Sequence, residues 1–280
     1  MKQLYGVIGC PISHSLSPVM HKAAYEELSI NADYHAFHVK EKDLKEAING
    51  IRALGIQGIN VTIPHKVSII PYLDEVDPLA EEIGAVNTVV NVEGRLTGYN
   101  TDGEGYVHGL LPVLMKDLAN MRTLIIGAGG AARGVSLTLA KYGAGELCIT
   151  NRTESKASQL AADCCRFTKA TTLPLEHVEA ELTGFDLIIN TTSIGMAPDT
   201  NSMPLSLEEL RQDVIVSDLI YTPIKTRWLQ VAEDKGAIIQ NGLDMFVNQG
   251  ALAFEKWTGK TAPKEVMKKK VLEKLGGTSC

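Results

Sequence analysis

Apolar positions recur along the chain with two different periods. Short apolar runs at Leu4–Ile8, Tyr34–Val39, Ile59–Ile63 and Val86–Val92 alternate with longer segments, Pro18–Leu28 and Asp43–Leu54, whose apolar residues fall three and four apart. The first kind predicts strands and the second amphipathic helices, so this part of the chain reads as alternating α and β elements. In Asp43–Leu54 one face is drawn by Leu44, Ala47, Ile48, Ile51 and Leu54, and Gly55 supplies the stop. Between Gly94 and Gly105 the pattern gives way to Gly, Asn, Thr and Asp, which predicts loops feeding a long helix from about Gly103 to Leu118.

A second unit begins at Arg122. The buried run Thr123–Ile126 leads straight into Gly127-Ala128-Gly129-Gly130-Ala131-Ala132, and a helix is predicted from there through Lys141. Further apolar runs at Glu146–Thr150, Asp186–Asn190, Val214–Ser217 and Ala237–Gln240, separated by helix-like segments, predict an open parallel sheet wound on both faces. From Asp244 onward the pattern is helical to the end.

Composition narrows the class. With 280 residues, 45% hydrophobic and 21% charged, the chain is a folded globular protein of one large or two ordinary domains. A net charge of −6 argues against a nucleic-acid partner, and the basic run Lys264–Lys270 reads as the solvated face of a helix. Neither a signal-type segment nor a bilayer-length apolar run is present, so no membrane partner and a cytoplasmic location are expected. Cys10, Cys148, Cys164, Cys165 and Cys280 form no C-x-x-C pair or disulfide-like framework. The histidines, His35, His38, His108 and His177 among them, show no ligand spacing, and no metal is expected.

Gly127–Ala132 fits G-x-G-x-x-A, and its setting between a buried strand and a helix is the one a dinucleotide fingerprint requires. Glycine there lets the backbone approach a pyrophosphate seated on the helix N-terminus. The tip of the next strand reads Asn151-Arg152-Thr153. A carboxylate at that tip would repel a 2′-phosphate, whereas Arg152 can pair with one and Asn151 and Thr153 can add hydrogen bonds, so the predicted cofactor is NADP.

In Gly9–Pro18 three serines, Ser13, Ser15 and Ser17, stand at alternate positions. Ser17 before Pro18 is a ready helix cap, and the three hydroxyls on one side of an extended segment would equally suit a carboxylate or phosphate; both readings stand on these residues alone. Lys66 falls in the first turn expected after Pro64, where a cation meets the positive end of a helix dipole, an odd place that suggests a role in a reaction, with an ordinary surface lysine as the alternative on these residues alone. Asp102 suits a helix cap or a proton-handling carboxylate, and Asn87 suits a turn or a hydroxyl ligand.

Seven short motifs in order, at Gly9–Pro18, Asn60–Lys66, Gly84–Thr88, Asn100–Gly105, Gly127–Ala132, Asn151–Thr153 and Gly242–Gln249, make the chain resemble the shikimate dehydrogenases. The resemblance implies reversible NADPH-dependent reduction of 3-dehydroshikimate to shikimate, in chorismate and aromatic amino-acid biosynthesis. It implies a carboxylate site at Ser15 and Ser17, hydroxyl contacts from Thr62, Asn87 and Gln249, a further substrate contact from Tyr221, and a catalytic dyad of Lys66 and Asp102. Ser13 falls at a variable position and has no role. Cofactor contacts are implied at Gly127, Ala128, Gly129, Gly130, Ala131, Asn151, Arg152, Thr153, Leu219 and Gly242. The implied architecture is an N-terminal α/β substrate-binding domain, residues 1–103 completed by C-terminal helices 243–280, and a Rossmann-like NADP domain, residues 104–242. The small-molecule substrate would be handled by a monomer or homodimer. A quinate/shikimate dehydrogenase of broader substrate and cofactor range and a non-catalytic NADP-binding regulator are the alternatives, and intact Lys66 and Asp102 speak against the second.

Overall fold

In the computed structural model, which describes residues 2–276, the chain divides into two units, one holding the residues up to Thr101 and those from Val247 onward, the other Asp102–Phe246. The first unit contains β1 (Gln3–Gly9), α1 (Ser17–Glu27), β2 (Ala32–His38), α2 (Leu44–Ala53), β3 (Gly58–Val61), α3 (His65–Ser68), β4 (Glu75–Val76), α4 (Pro78–Ile83), β5 (Thr88–Val92) and β6 (Arg95–Tyr99). They form a mixed sheet in the order β2-β1-β3-β5-β6-β4. Central β1 runs parallel to both neighbours, and β5 pairs antiparallel with β3 and β6. Ile8, Ile59, Val61, Val89 and Leu96 bury one face of this sheet under Leu44, Ile48 and Ile51 of α2. That is the predicted helical stripe except for Leu54, which is 77% exposed, because the helix ends before it and Gly55 (φ +64°) turns the chain away.

Two expectations fail in the same stretch. Residues 95–99, read as loop, are strand β6: Glu93 and Gly94 both take positive φ (52° and 88°) and close a tight hairpin whose twist suits the antiparallel pair. The long helix expected to Leu118 is α5 (Asp102–Leu110) and stops early, since Pro112 lacks the N–H a helix interior needs. Two short 3-10 turns, Leu111–Val113 and Leu118–Asn120, fill the remainder.

The second unit continues with β7 (Arg122–Ile126), α6 (Gly130–Lys141), β8 (Glu146–Thr150), α7 (Glu154–Cys164), β9 (Lys169–Thr172), α8 (Leu175–Val178), β10 (Leu187–Asn190), β11 (Ile215–Asp218), α9 (Arg227–Asp234) and β12 (Ile238–Gln240). Its six strands are all parallel in the order β12-β11-β10-β7-β8-β9. Chain order reverses between β7 and β10, the switch point of a doubly wound sheet, outside whose carboxyl ends a ligand crevice forms. Leu124, Ile126, Ile188 and Val216 meet Phe185, Trp228 and Leu229 in the core on one face.

The terminal helical stretch is broken into α10 (Leu243–Thr258) and α11 (Lys264–Lys274) by Gly259 (φ +65°) and Pro263. Within the first unit α11 packs on α1, and Trp257 donates its indole N–H to the Val89 carbonyl at 2.9 Å. Gly58 and Gly250 lie so close to Trp257 and Met20 that a Cβ on either would overlap those side chains. Cys10, Cys148, Cys164 and Cys165 are free thiols, and Cys280 lies outside the described residues. No described helix is long and apolar enough to cross a membrane.

Candidate active site

In the first unit the candidate residues gather at the carboxyl ends of β1 and β3. Ile8 pairs with Val61, so the loop after Gly9 and the segment from Thr62 leave the sheet side by side, joined by Thr62 N–H to Ile8 carbonyl (3.0 Å) and Cys10 N–H to Ile63 carbonyl (3.0 Å). No side chain fits at Gly9, because a Cβ would press on the Thr62 methyl. Ser13 is exposed, Ser15 half-buried and Ser17 buried.

The capping roles of the serines are the reverse of the expected ones. Leu16, already in the right-handed helical region (φ −89°, ψ −4°), precedes the first residue of α1, Ser17, and the start carries no Ser17 side-chain cap. The serine that receives a backbone N–H is Ser15, whose Oγ accepts from Ser17 at 3.3 Å. Entry into helical geometry one residue early moves the reach of a capping hydroxyl back by the same amount. Relieved of capping, the buried Ser17 side chain lies near the Tyr34 phenol, whose pKa burial pushes well above its ordinary value.

Tyr34 begins a buried polar string. Its hydroxyl donates to Asn60 Oδ1 at 2.7 Å, and Asn60 Nδ2 donates to Thr88 Oγ1 (3.1 Å) and to the Asn87 carbonyl (3.3 Å). Asn87 Nδ2 donates to Thr101 Oγ1 at 2.9 Å, and the same Thr101 hydroxyl lies 3.0 Å from the Gln249 carbonyl, to which it donates. Tyr34, Asn87 and the backbone of Gln249, drawn from distant parts of the sequence, are thus joined by hydrogen bonds inside one unit. Tyr34 and Thr101 carry no signal in the sequence that would single them out, since their partners are assembled across strands. Lys66, half-buried on the single turn α3, is anchored through its carbonyl, which accepts from Val86 N–H at 2.8 Å. Asp102 opens α5 directly after Thr101.

In the second unit Gly127 leaves β7 with φ +115°, its N–H held by the Thr150 carbonyl at 2.8 Å, and the Thr191 hydroxyl occupies the space a Cβ would need. Only glycine meets both conditions. Gly129 and Gly130 are exposed, with open space where side chains would be, and Gly129 is the N-cap of α6 without a side-chain cap. The first N–H groups of a twelve-residue helix therefore stand behind exposed glycines with open space beside them, the arrangement that receives a pyrophosphate. At the tip of β8, Asn151 is braced by donating to the Thr153 carbonyl (2.9 Å), and Arg152 and Thr153 are exposed. With a cationic tip and no carboxylate among Asn151, Arg152 and Thr153, this unit fits NADP. Leu219 N–H is held by the Asn190 carbonyl (3.1 Å) and Gly242 N–H by the Ile220 carbonyl (3.0 Å). Tyr221 stacks on Phe246 at 4.7 Å, and burial pushes its phenol pKa up.

These features define a dinucleotide-dependent oxidoreductase with a separate α/β unit for a polar substrate. Residues 7–89 match the shikimate dehydrogenase substrate binding domain, residues 111–222 the shikimate / quinate 5-dehydrogenase family, and residues 242–272 the shikimate 5′-dehydrogenase C-terminal domain. A shikimate dehydrogenase (NADP(+)) of Geobacillus sp. (strain WCH70) is 54% identical over 277 residues, covering 99% of this chain and 100% of the relative. Among solved structures, a shikimate dehydrogenase in complex with NADP+ superposes with a TM-score of 0.91 at 42% identity, covering 98% of this chain and 96% of the other. The shikimate 5-dehydrogenase of Thermus thermophilus in complex with NADP(H) and shikimate gives 0.89 at 36% identity, with 97% and 99% covered. The chain belongs to the shikimate dehydrogenase family.

Proposed function

We propose that this protein interconverts 3-dehydroshikimate and shikimate with NADPH and NADP+. The observation that carries the reading is the buried string from Tyr34 through Asn60 and Asn87 to the Gln249 carbonyl, which fixes a hydroxyl and amides at the rim of one sheet, as a rigid polyhydroxylated acid requires. Ser15 and Ser17 hold the substrate carboxylate; Thr62, Asn87, Gln249 and Tyr221 hold its ring. Gly127–Ala131 seat the pyrophosphate, Asn151, Arg152 and Thr153 the 2′-phosphate end, and Leu219 and Gly242 border the nicotinamide.

The bound dinucleotide supplies the hydride. What the chain supplies is orientation and the proton. As negative charge grows on the carbonyl oxygen of 3-dehydroshikimate, the Lys66 ammonium neutralises it and delivers a proton to that oxygen; in the reverse direction it takes the proton back. An arginine would hold its proton too tightly for this task. Asp102 accepts from a ring hydroxyl and keeps the reacting carbon in register.

The protein works in the cytoplasm on a small-molecule substrate, as a monomer or homodimer with no nucleic-acid or membrane partner; the net charge of −6 supports the absence of a nucleic-acid role. The test is NADPH absorbance followed with shikimate and with quinate, each with NADP+ and with NAD+. Turnover is expected with shikimate and NADP+, and its absence would overturn the proposal.

A further inference from the structure

Asp218 ends β11 and is 1% exposed, yet the groups facing it are all neutral. One carboxylate oxygen accepts from Asn190 Nδ2 (3.1 Å) and from Ile220 N–H (3.1 Å), and the other accepts from the Thr226 hydroxyl (2.9 Å). Tyr106 of α5, whose phenol donates to the adjacent Ser217 (2.9 Å), feels the Asp218 charge and is itself neutral, its pKa raised chiefly by burial. A buried charge without a counter-ion is costly, and burial pushes this carboxyl up to about 6 against the pull of its three hydrogen bonds.

Those three bonds fix two loops and a helix start. Asn190 ends β10; its Oδ1 accepts from Thr192 N–H (3.0 Å) and the Thr192 hydroxyl (2.7 Å), and its carbonyl accepts from Leu219 N–H. Thr226 caps α9 by accepting from Leu229 N–H at 3.3 Å. The loop after Asn190 then meets the glycine loop: Thr191 donates to the Ile126 carbonyl at 2.7 Å and fills the space beside Gly127. The loop after Asp218 meets Gly242, where a Cβ would overlap the Leu219 carbonyl. Both loops stand at the carboxyl ends of β10 and β11, on the side of β7 away from β8 and its Asn151–Thr153 tip.

We propose that Asp218 is a positioning residue for the nicotinamide half of the dinucleotide, acting through the loops after β10 and β11 and not through the 2′-phosphate end. The proposal rests on NADP being the cofactor. An asparagine at this position offers one acceptor oxygen to three donors, so the loops lose a restraint while volume and shape stay the same.

The test compares binding of NADPH with binding of 2′,5′-ADP, which carries the adenosine and 2′-phosphate but no nicotinamide, by titration calorimetry. In Asp218→Asn, NADPH is expected to bind roughly tenfold more weakly while 2′,5′-ADP changes less than about twofold. Equal affinity for NADPH in variant and parent, or parallel weakening of both ligands, overturns the proposal. If the variant does not fold, the parent protein is titrated from about pH 7.5 to about pH 5. In this arm the comparison ligand is 2′-AMP, whose one titrating phosphate is the 2′-phosphate it shares with NADP+, so that titration cancels and the ratio of the NADP+ to the 2′-AMP dissociation constant is expected to rise as the pH falls below 6. A flat ratio overturns the proposal. A parent protein that binds neither ligand overturns the NADP reading, and the proposal with it.

Discussion

The backbone N–H of Thr101 donates to Asn87 Oδ1 at 2.8 Å and thereby decides which end of the Asn87 amide faces which way. The amide group then donates to the Thr101 hydroxyl, and Thr88 adds a second donor to the same Oδ1 at 3.0 Å. Since Asp102 follows Thr101 directly, one bond sets the orientation of the Asn87 amide and lies next to the start of the helix that carries the Asp102 carboxylate. Thr101→Val keeps the shape and the N–H but removes the hydroxyl. It is expected to cost about 1–3 kcal/mol of stability and to raise KM for shikimate several-fold, with KM for NADP+ unchanged; urea unfolding and initial rates check both.

Lys66→Ala is expected to lower kcat by roughly 10²–10⁴, the usual worth of a positioned proton donor, with Asp102→Asn losing less because orientation rather than the proton is removed. Steady-state rates with purified variants decide this, and unchanged turnover in Lys66→Ala would sink the assignment.

Replacing Arg152 with Ala should weaken NADP+ binding roughly tenfold and leave NAD+ nearly untouched, since only the former carries the 2′-phosphate. The ratio of kcat/KM for the two cofactors reads the effect directly, and a ratio equal to that of the parent would exclude Arg152 from the 2′-phosphate site.

Gly58→Ala places a methyl group against the Trp257 indole, which its bond to Val89 holds in place. Overpacking of this kind costs about 1–3 kcal/mol, so the melting temperature should drop by several degrees while KM for NADP+ holds. Calorimetry that finds no drop would show that Trp257 yields.

His21 is fully buried, stacked on Tyr34 at 4.5 Å, and burial pushes its imidazole down to about 3, offset only in part by the neighbouring Asn60 amide. Below its ordinary value of 6.5 the unfolded chain takes a proton that the folded protein refuses. The stability it contributes is therefore present above that value and is lost as the pH falls toward 3, with a slope of up to about 1.4 kcal/mol per pH unit. In His21→Phe, which keeps a ring in the stack, urea midpoints measured at successive pH values through this window should fall less steeply. Identical slopes in the two proteins would refute the assignment.

Local signals are legible in the sequence and assembled ones are not. The glycine loop after β7 can be read because its strand, turn and helix are contiguous and each demands a particular residue type. The Glu93-Gly94 hairpin is equally local, but polar turn residues on either side of Leu96 mask a strand only five residues long. The serine that accepts a backbone N–H at the start of α1 cannot be chosen from composition, since the backbone conformation at Leu16 puts Ser17 inside the helix and leaves Ser15 in front of it. Tyr34 meets Asn60 only because β1 lies between β2 and β3. Its importance is a property of strand order, which no window along the chain contains.

The first unit is closed by segments made after the whole of the second. Gly250 against Met20, Trp257 under Gly58, and α11 across α1 all join early residues to late ones, whereas Asp102–Phe246 is one uninterrupted stretch. During synthesis, where domains generally fold as they emerge, the nucleotide-binding unit has everything it needs before the substrate-binding unit does. Until α10 and α11 leave the ribosome, the aromatic surface around Tyr5 and Tyr25 waits for Trp257 and Phe254, so the nascent chain passes through a stage with residues 102–246 folded and the residues before them still seeking a cover.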